Sequence, residues 1–139
     1  MLRDELFHLM RRLVQDHTAR WQEARIPLTK PQAAVLRSAV EHPGAELTTL
    51  AAASASTKAT ITEILDRLET AGLLQRAVDP TDKRRRIVEL TTEGEAMEHR
   101  VRALTAAVDD VFLSRLTRDE RATLRILLTK LTEDDSASR

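Results

Sequence analysis

The sequence predicts a mainly α fold with a small β-hairpin wing. The expected architecture is a winged helix-turn-helix joined to a helical dimerisation region made from the N- and C-terminal helices. Three observations predict it. Two short helix-like segments lie close together between Leu47 and Thr70. Strand-like runs then flank a charged tip, Asp79-Pro80-Thr81-Asp82-Lys83-Arg84-Arg85-Arg86. Amphipathic helical patterns occupy both ends of the chain.

The 139 residues suit one domain, or one domain with an appendage. With three glycines and four prolines, long helices are expected. Phe7, Trp21 and Phe112 are the only aromatics, so the core must be aliphatic. The lack of cysteine excludes disulfides, thiol redox sensing and thiolate metal binding. No apolar run approaches the roughly 20 residues of a membrane span. Met1-Leu2-Arg3-Asp4-Glu5 carries acids and no apolar leader pattern. A cytoplasmic location without membrane association is expected. The formal net charge of zero argues mildly against a simple electrostatic binder of nucleic acid. Charge position matters more than the sum, because Lys83 to Arg86 are consecutive bases.

Residues 2–24 read as an amphipathic helix. Leu2, Leu6, Leu9 and Leu13 form its stripe, widened by Phe7, Met10 and Val14. That breadth favours burial against a second subunit over packing on its own domain. Pro27 should end the helix. Thr29 and Gln32 form a capping box with Pro31 in the first turn of the next, whose buried face is Val35, Leu36, Ala39 and Val40. His42-Pro43-Gly44 stops it. Leu47 to Ala53 follows, capped by Thr48 or Thr49, and Ala55-Ser56-Thr57 makes a turn. Thr57 can cap a helix that ends near Thr70, with Gly72 as its terminating glycine. Ile61, Ile64 or Leu65, and Leu68 face inward on it. Lys58, Thr62, Glu63, Asp66 and Arg67 face outward.

Leu74 to Val78 and Ile87 to Leu90 read as a hairpin, and the Asp-Pro and Asp of its tip suit a turn. Thr91 or Thr92 caps a helix over about 92–115, with Val101, Leu104, Val108, Val111 and Phe112 on one side. Thr117 and Glu120 form a second capping box. The helix it opens should turn Leu124, Leu127, Leu128 and Leu131 inward. Residues 134–139 look frayed, and Glu133-Asp134-Asp135 makes the tail acidic.

A helix that reads a major groove needs short polar or basic residues in its first turns. Thr57, Lys58, Ala59, Thr60 and Thr62 meet that need. Lys58 can donate to a guanine or to a phosphate. A solvated structural helix would show the same residues. The wing tip favours the groove-reading helix, because Lys83, Arg84, Arg85 and Arg86 sit between two strand-like segments immediately after the helix-turn-helix candidate. A guanidinium there can enter a minor groove or clamp phosphates. Asp79 and Asp82 are expected to pair with an arginine and fix the tip's shape. Duplex DNA is the expected partner.

Leu50-Ala51, Thr57 through Leu74, Asp79-Pro80-Thr81-Asp82-Lys83-Arg84 and Leu90-Thr91 together resemble the MarR family of bacterial transcription regulators. The resemblance covers about residues 28–95. It implies a single MarR-like domain over 1–139, with a DNA-binding region at 28–91 and dimerisation helices at 1–27 and 92–139. It further implies a homodimeric repressor, released from a near-palindromic operator by a small lipophilic or aromatic effector. Thr57 through Thr62 fall on the groove-reading positions, Arg84 on the wing arginine and Asp82 on its companion aspartate. The two recognition helices would lie roughly 34–36 Å apart. His17, Trp21 and Arg25 are candidates to line an effector pocket, although Trp21 reads first as a core plug. Two departures stand out. Ser54-Ala55-Ser56 lacks the usual glycine, so one residue is expected to be mildly strained. Glu63 replaces a basic or neutral residue; it can accept from a cytosine amine or pair with Arg67 at i, i+4.

Rival readings are weaker. An enzyme would need a phosphate loop, a ligand cluster or a nucleophile arrangement, and His8, His17, His42 and His99 are scattered. The same scatter disfavours a metal-sensing regulator, so neither a metal nor a cofactor is expected. A winged-helix interaction module that has lost DNA binding would not need the arginine tip.

Overall fold

The computed structural model describes the backbone of residues 2–133 and the side chains of residues 5–133. The Leu2 side chain of the expected apolar stripe, and the acids and frayed tail expected at 134–139, lie outside the described residues. Six helices and one hairpin follow in order: α1 Leu2–Glu23, α2 Lys30–Glu41, α3 Leu47–Ala53, α4 Lys58–Thr70, β1 Leu74–Val78, β2 Arg86–Leu90, α5 Thr92–Phe112 and α6 Arg118–Thr132. The chain divides into two compact units, Gln22–Thr105 and the remainder.

The Gln22–Thr105 unit is the winged helix. The capping box that starts α2 is present, with Gln32 N donating to Thr29 Oγ1 at 3.2 Å and Thr29 N to Gln32 Oε1 at 3.1 Å. Helices α2, α3 and α4 pack on one another around Val35, Leu36, Leu50, Ile61, Leu65 and Leu68. Ile64 and Leu65 both face this core, so α4 buries a wider stripe than one of them alone would supply. Glu46, rather than Thr48 or Thr49, holds the N-cap position of α3, and it makes no side-chain cap. The two threonines fall inside the helix because the chain is already drawn in at Glu46 by a bridge to Ile87.

The turn between α3 and α4 is closed by Ser56 N donating to Ala51 O at 2.8 Å and Ala55 N to Ala52 O at 3.2 Å. Ala55 has φ +55, the left-handed conformation for which glycine is usually chosen. The strain expected of this glycine-free turn falls on that residue. At the end of α4, Leu73 N bonds Leu68 O at 3.0 Å and Gly72 N bonds Glu69 O at 2.9 Å, with Gly72 at φ +77.

Strands β1 and β2 pair antiparallel from Leu74↔Leu90 to Val78↔Arg86. Arg86 is therefore a strand residue and not part of the tip, since pairing with Val78 extends β2 by one position. A third segment joins the wing: Val88 N donates to Ala45 O at 3.0 Å beside the Glu46↔Ile87 bridge. Leu74, Ile87 and Val88 bury the root of the hairpin. Thr91 caps α5, accepting from Gly94 N at 3.0 Å.

The other unit holds α1 as far as Trp21, α5 from Ala106, and α6. Its last helix opens with the Thr117–Glu120 capping box. Helix α5 stops at Phe112, short of residue 115, where Leu113 to Leu116 form a turn. Leu127, Leu128 and Leu131 do not face inward: all three are exposed, and α6 has no buried residue. Leu6, Phe7, Leu9, Leu13 and Val14 on α1 are exposed as well. An apolar stripe specifies a face that needs covering, and among the described residues Leu6, Leu9, Leu13 and Val14 stay exposed.

Candidate DNA interface

The first turn of α4 is built around Thr57. Its Oγ1 accepts from Thr60 N at 3.2 Å and donates to Thr60 Oγ1 at 2.9 Å. The Thr57 hydroxyl is thus committed to capping, while Thr60 keeps a free donor. Thr62 Oγ1 donates to Lys58 O at 2.9 Å and keeps its acceptor capacity. Thr57, Lys58, Ala59, Thr60, Thr62 and Glu63 are all exposed. The segment combines a helix N-terminus, hydroxyls, a methyl and one ammonium, which suits contact with base edges and phosphates.

Arg67 is engaged with Glu63, Nη2 to Oε1 at 3.3 Å, in an i, i+4 pair with both side chains 69% exposed. Such a pair contributes at most about 1 kcal/mol and is easily exchanged for another partner. Glu63 therefore faces its own helix neighbour before any base.

At the tip, Asp79 Oδ1 accepts from Thr81 N at 2.8 Å and from Thr81 Oγ1 at 2.7 Å. Those bonds, the backbone one first, hold the Asp79 carboxyl below the usual carboxylate range, with Arg85 adding a smaller effect. Asp82 Oδ1 accepts from the backbone N of Arg84 at 3.0 Å. Both aspartates shape the tip, but mainly through hydrogen bonds to loop groups and not through an arginine side chain. Arg85 N donates to Asp82 O, and Asp79 N donates to Arg85 O, closing the loop.

The four consecutive bases are not equivalent. Arg85 forms an ion pair with Glu46 and lies 3.8 Å from Asp79 Oδ2. It points back to the start of α3. Lys83, Arg84 and Arg86 are exposed, and their side chains make no hydrogen bond or ion pair among the described residues; the same holds for Lys58. Unpaired cations thus stand both at the start of α4 and on the wing. Consecutive like charges hide this distinction in the sequence.

Arg76 on β1 escaped sequence reasoning. Its Nε donates to Glu69 Oε2 at 2.7 Å and its Nη2 to Asp66 Oδ1 at 2.5 Å. Glu69 first and Asp66 second tighten its hold on its proton. A charged residue on an alternating strand gives no sign of a partner ten residues earlier.

Of the candidate effector residues, His17 and Trp21 have ring centroids 6.2 Å apart. His17 also meets Phe112 edge-on at 5.1 Å, and its Nε2 lies 2.7 Å from Asp109 Oδ1. Trp21 is buried, as a core plug would be. Arg25 is exposed with φ +53 and belongs to the winged-helix unit. Among the described residues no cluster of His, Cys, Asp and Glu could hold a metal, and no helix is long and apolar enough to cross a membrane.

A helix-turn-helix followed by a basic wing defines a winged-helix DNA-binding protein. The chain belongs to the MarR family, whose model matches residues 28–85. It is 46% identical over 130 residues to the transcriptional regulator HosA of Escherichia coli O111:H-, covering 94% of this chain and 96% of HosA. Among solved structures it is similar to the transcriptional regulator PcaV of Streptomyces coelicolor in complex with its natural ligand. That match has a TM-score of 0.83 and 36% identity, covering 89% of each chain. It is equally similar in fold to a mutant of MarR from E. coli complexed with operator DNA, with a TM-score of 0.83 and 30% identity over 93% of this chain and 94% of that one. The protein is a DNA-binding transcriptional regulator and not an enzyme.

Proposed function

We propose that the chain acts as a homodimeric repressor that reads a near-palindromic operator and leaves it on binding a small lipophilic or aromatic effector. The observation that carries the DNA reading is the placement of the unpaired cations. Lys58 opens the recognition helix, while Lys83, Arg84 and Arg86 edge the wing. In this reading residues 57–63 meet the major groove, and the wing meets the adjacent backbone or minor groove. Arg67 joins them by exchanging Glu63 for a phosphate. Asp82 sets the tip that presents Arg84. Arg85 serves from behind, through Glu46.

The exposed apolar faces of α1 and α6 support a second copy as the covering surface. Leaving Leu9, Leu127 and Leu131 more than half exposed would be costly in a monomer. The helices at 1–27 and 92–139 are the proposed dimerisation elements, and 28–91 the DNA-binding region. The effector reading draws on PcaV, which binds a natural ligand. His17, Trp21 and Arg25 are its proposed lining. A cytoplasmic location follows from the proposed role on DNA.

The test is a gel-shift titration with the promoter fragment beside the chain's own gene, at two salt concentrations and with nonspecific competitor. A discrete, salt-sensitive complex with dimer stoichiometry is the expected result. Smearing that competitor abolishes equally at both salts would refute operator recognition at that promoter.

A further inference from the structure

The proposed reading requires two contacts at once, one from the first turn of α4 and one from the wing tip. A two-stranded hairpin has little rigidity of its own in water. Apolar burial of Leu74, Ile87 and Val88 anchors its root, and the Val88–Ala45 bond ties it to the segment before α3, but neither is a directional tie to α4. A directional tie is present. Arg76 sits mid-strand on β1, opposite Val88. Asp66 and Glu69 lie three residues apart on α4 and so share one face. The guanidinium of Arg76 reaches both, at 2.5 and 2.7 Å. Its planar fork fixes direction as well as distance, which an ammonium would not.

We infer that Arg76 is a positioning residue for DNA recognition: it braces the wing against the recognition helix so that Lys58 and Arg84 engage one duplex together. The inference rests on the proposed reading of Lys58 and Arg84 as DNA contacts. Arg76 itself is poorly suited to touch DNA, since its Nε and Nη2 are already bound to two carboxylates. A second effect accompanies the brace, because the same bonds neutralise two acids on the recognition helix. The two effects can be separated, because removing the acids removes the brace and the repulsion together.

The experiment uses the full chain and a duplex that the wild-type protein itself selects from random-sequence DNA. Affinities are measured for wild type and Arg84→Ala. The same pair is then measured in an Arg76→Ala background, in an Arg76→Lys background and in an Asp66→Ala/Glu69→Ala background, which leaves no acceptor for the guanidinium, each checked for folding by thermal melt. In wild type, Arg84→Ala should weaken binding about tenfold. In the Arg76→Ala and the Asp66→Ala/Glu69→Ala backgrounds the same substitution should cost less than about threefold, because coupled contacts are not additive. Arg76→Lys should fall between and stays informative if Arg76→Ala does not fold. An undiminished tenfold cost in all three backgrounds overturns the inference and leaves the DNA reading intact. A cost diminished by Arg76→Ala but not by the double alanine variant also overturns it, since Arg76 would then act without its two acids. If Arg84→Ala costs nothing in wild type, the wing does not touch the duplex, and both the reading and the brace fall.

Discussion

Gly94 lies so close to Leu73 that a Cβ built on it would stand 1.8 Å from the Leu73 carbonyl oxygen and 2.8 Å from its carbonyl carbon. Both atoms are backbone and cannot swing aside. The approach is drawn in by Thr91, whose N–H donates to that same oxygen at 3.1 Å and whose hydroxyl donates to Gly72 O at 2.7 Å. The end of the recognition helix is thereby joined to the start of α5.

Gly94→Ala pits two effects against each other. Helix propensity favours alanine by up to about 1 kcal/mol. The clash costs about 1–3 kcal/mol or more, since backbone must move. Net destabilisation is expected in urea unfolding, and an increase in stability would contradict the close approach.

Ala55→Gly should do the opposite. Relieving a left-handed alanine is worth about 1 kcal/mol, less the added freedom of glycine in the unfolded chain. A rise in Tm of a few degrees is expected. A clear fall would mean that the turn tolerates Ala55 without strain.

Glu98 predicts an acid-sensitive element. It is buried, with Oε2 2.6 Å from Arg102 Nη2 and Oε1 3.0 Å from Arg37 Nη1. Arg102 is the main cause, and Arg37 a further one, that holds its carboxyl below the usual range against the opposing effect of burial. A carboxyl depressed on folding contributes stability above its unfolded pKa and loses it as pH falls through the lower folded value. Glu98→Gln should therefore destabilise near neutrality, by about 1–3 kcal/mol, and flatten the loss of stability in acid. Parallel acid profiles for the two proteins would remove Glu98 as the source.

Arg84→Ala and Arg85→Ala should separate although the residues are adjacent. Removing Arg84 should lower the salt slope of DNA binding by about 0.9 for each phosphate it neutralises, with the melt unchanged. Removing Arg85 should leave that slope nearly intact and lower the melting temperature modestly, because its partner is Glu46. An equal fall in slope for both variants would place Arg85 on the DNA.

Leu127→Asp tests the exposed face of α6, where Leu127 is 53% exposed. Sedimentation should show a dimer for wild type and a monomer for the variant. Operator binding at a given concentration should fall with it. A variant that stays dimeric would place the subunit contact elsewhere.

Much of this fold is written locally. The Thr29–Gln32 and Thr117–Glu120 boxes, the Thr57 cap and the Gly72 terminator each depend on residues within one helical turn, and all are present. What escaped depends on distant partners. The Ala45–Glu46 segment is too short to show alternation, and its pairing with Ile87 and Val88 lies far along the chain. Glu98 reads as a solvated helix charge until Arg37 arrives from α2. The run Lys83 to Arg86 marks a basic tip, but only three dimensions reveal that Arg85 is withdrawn from it. For α6 the periodicity picks out the apolar face correctly, yet a pattern cannot say which surface covers it.

The bridge from Ala45 and Glu46 into the wing has a bearing on transplantation. Swapping recognition helices between relatives is an obvious way to move operator preference from one regulator to another. A graft bounded by Thr57 and Gly72 would import foreign neighbours for Arg76 and leave Ala45, Glu46 and Arg85 holding a wing shaped for another helix. The portable piece is the whole span from Ala45 to Thr91, which keeps the bonds of the wing together with those of Thr91 to Gly72 and Leu73. Chimaeras cut there should keep the donor's preference, whereas shorter grafts should fold and bind weakly.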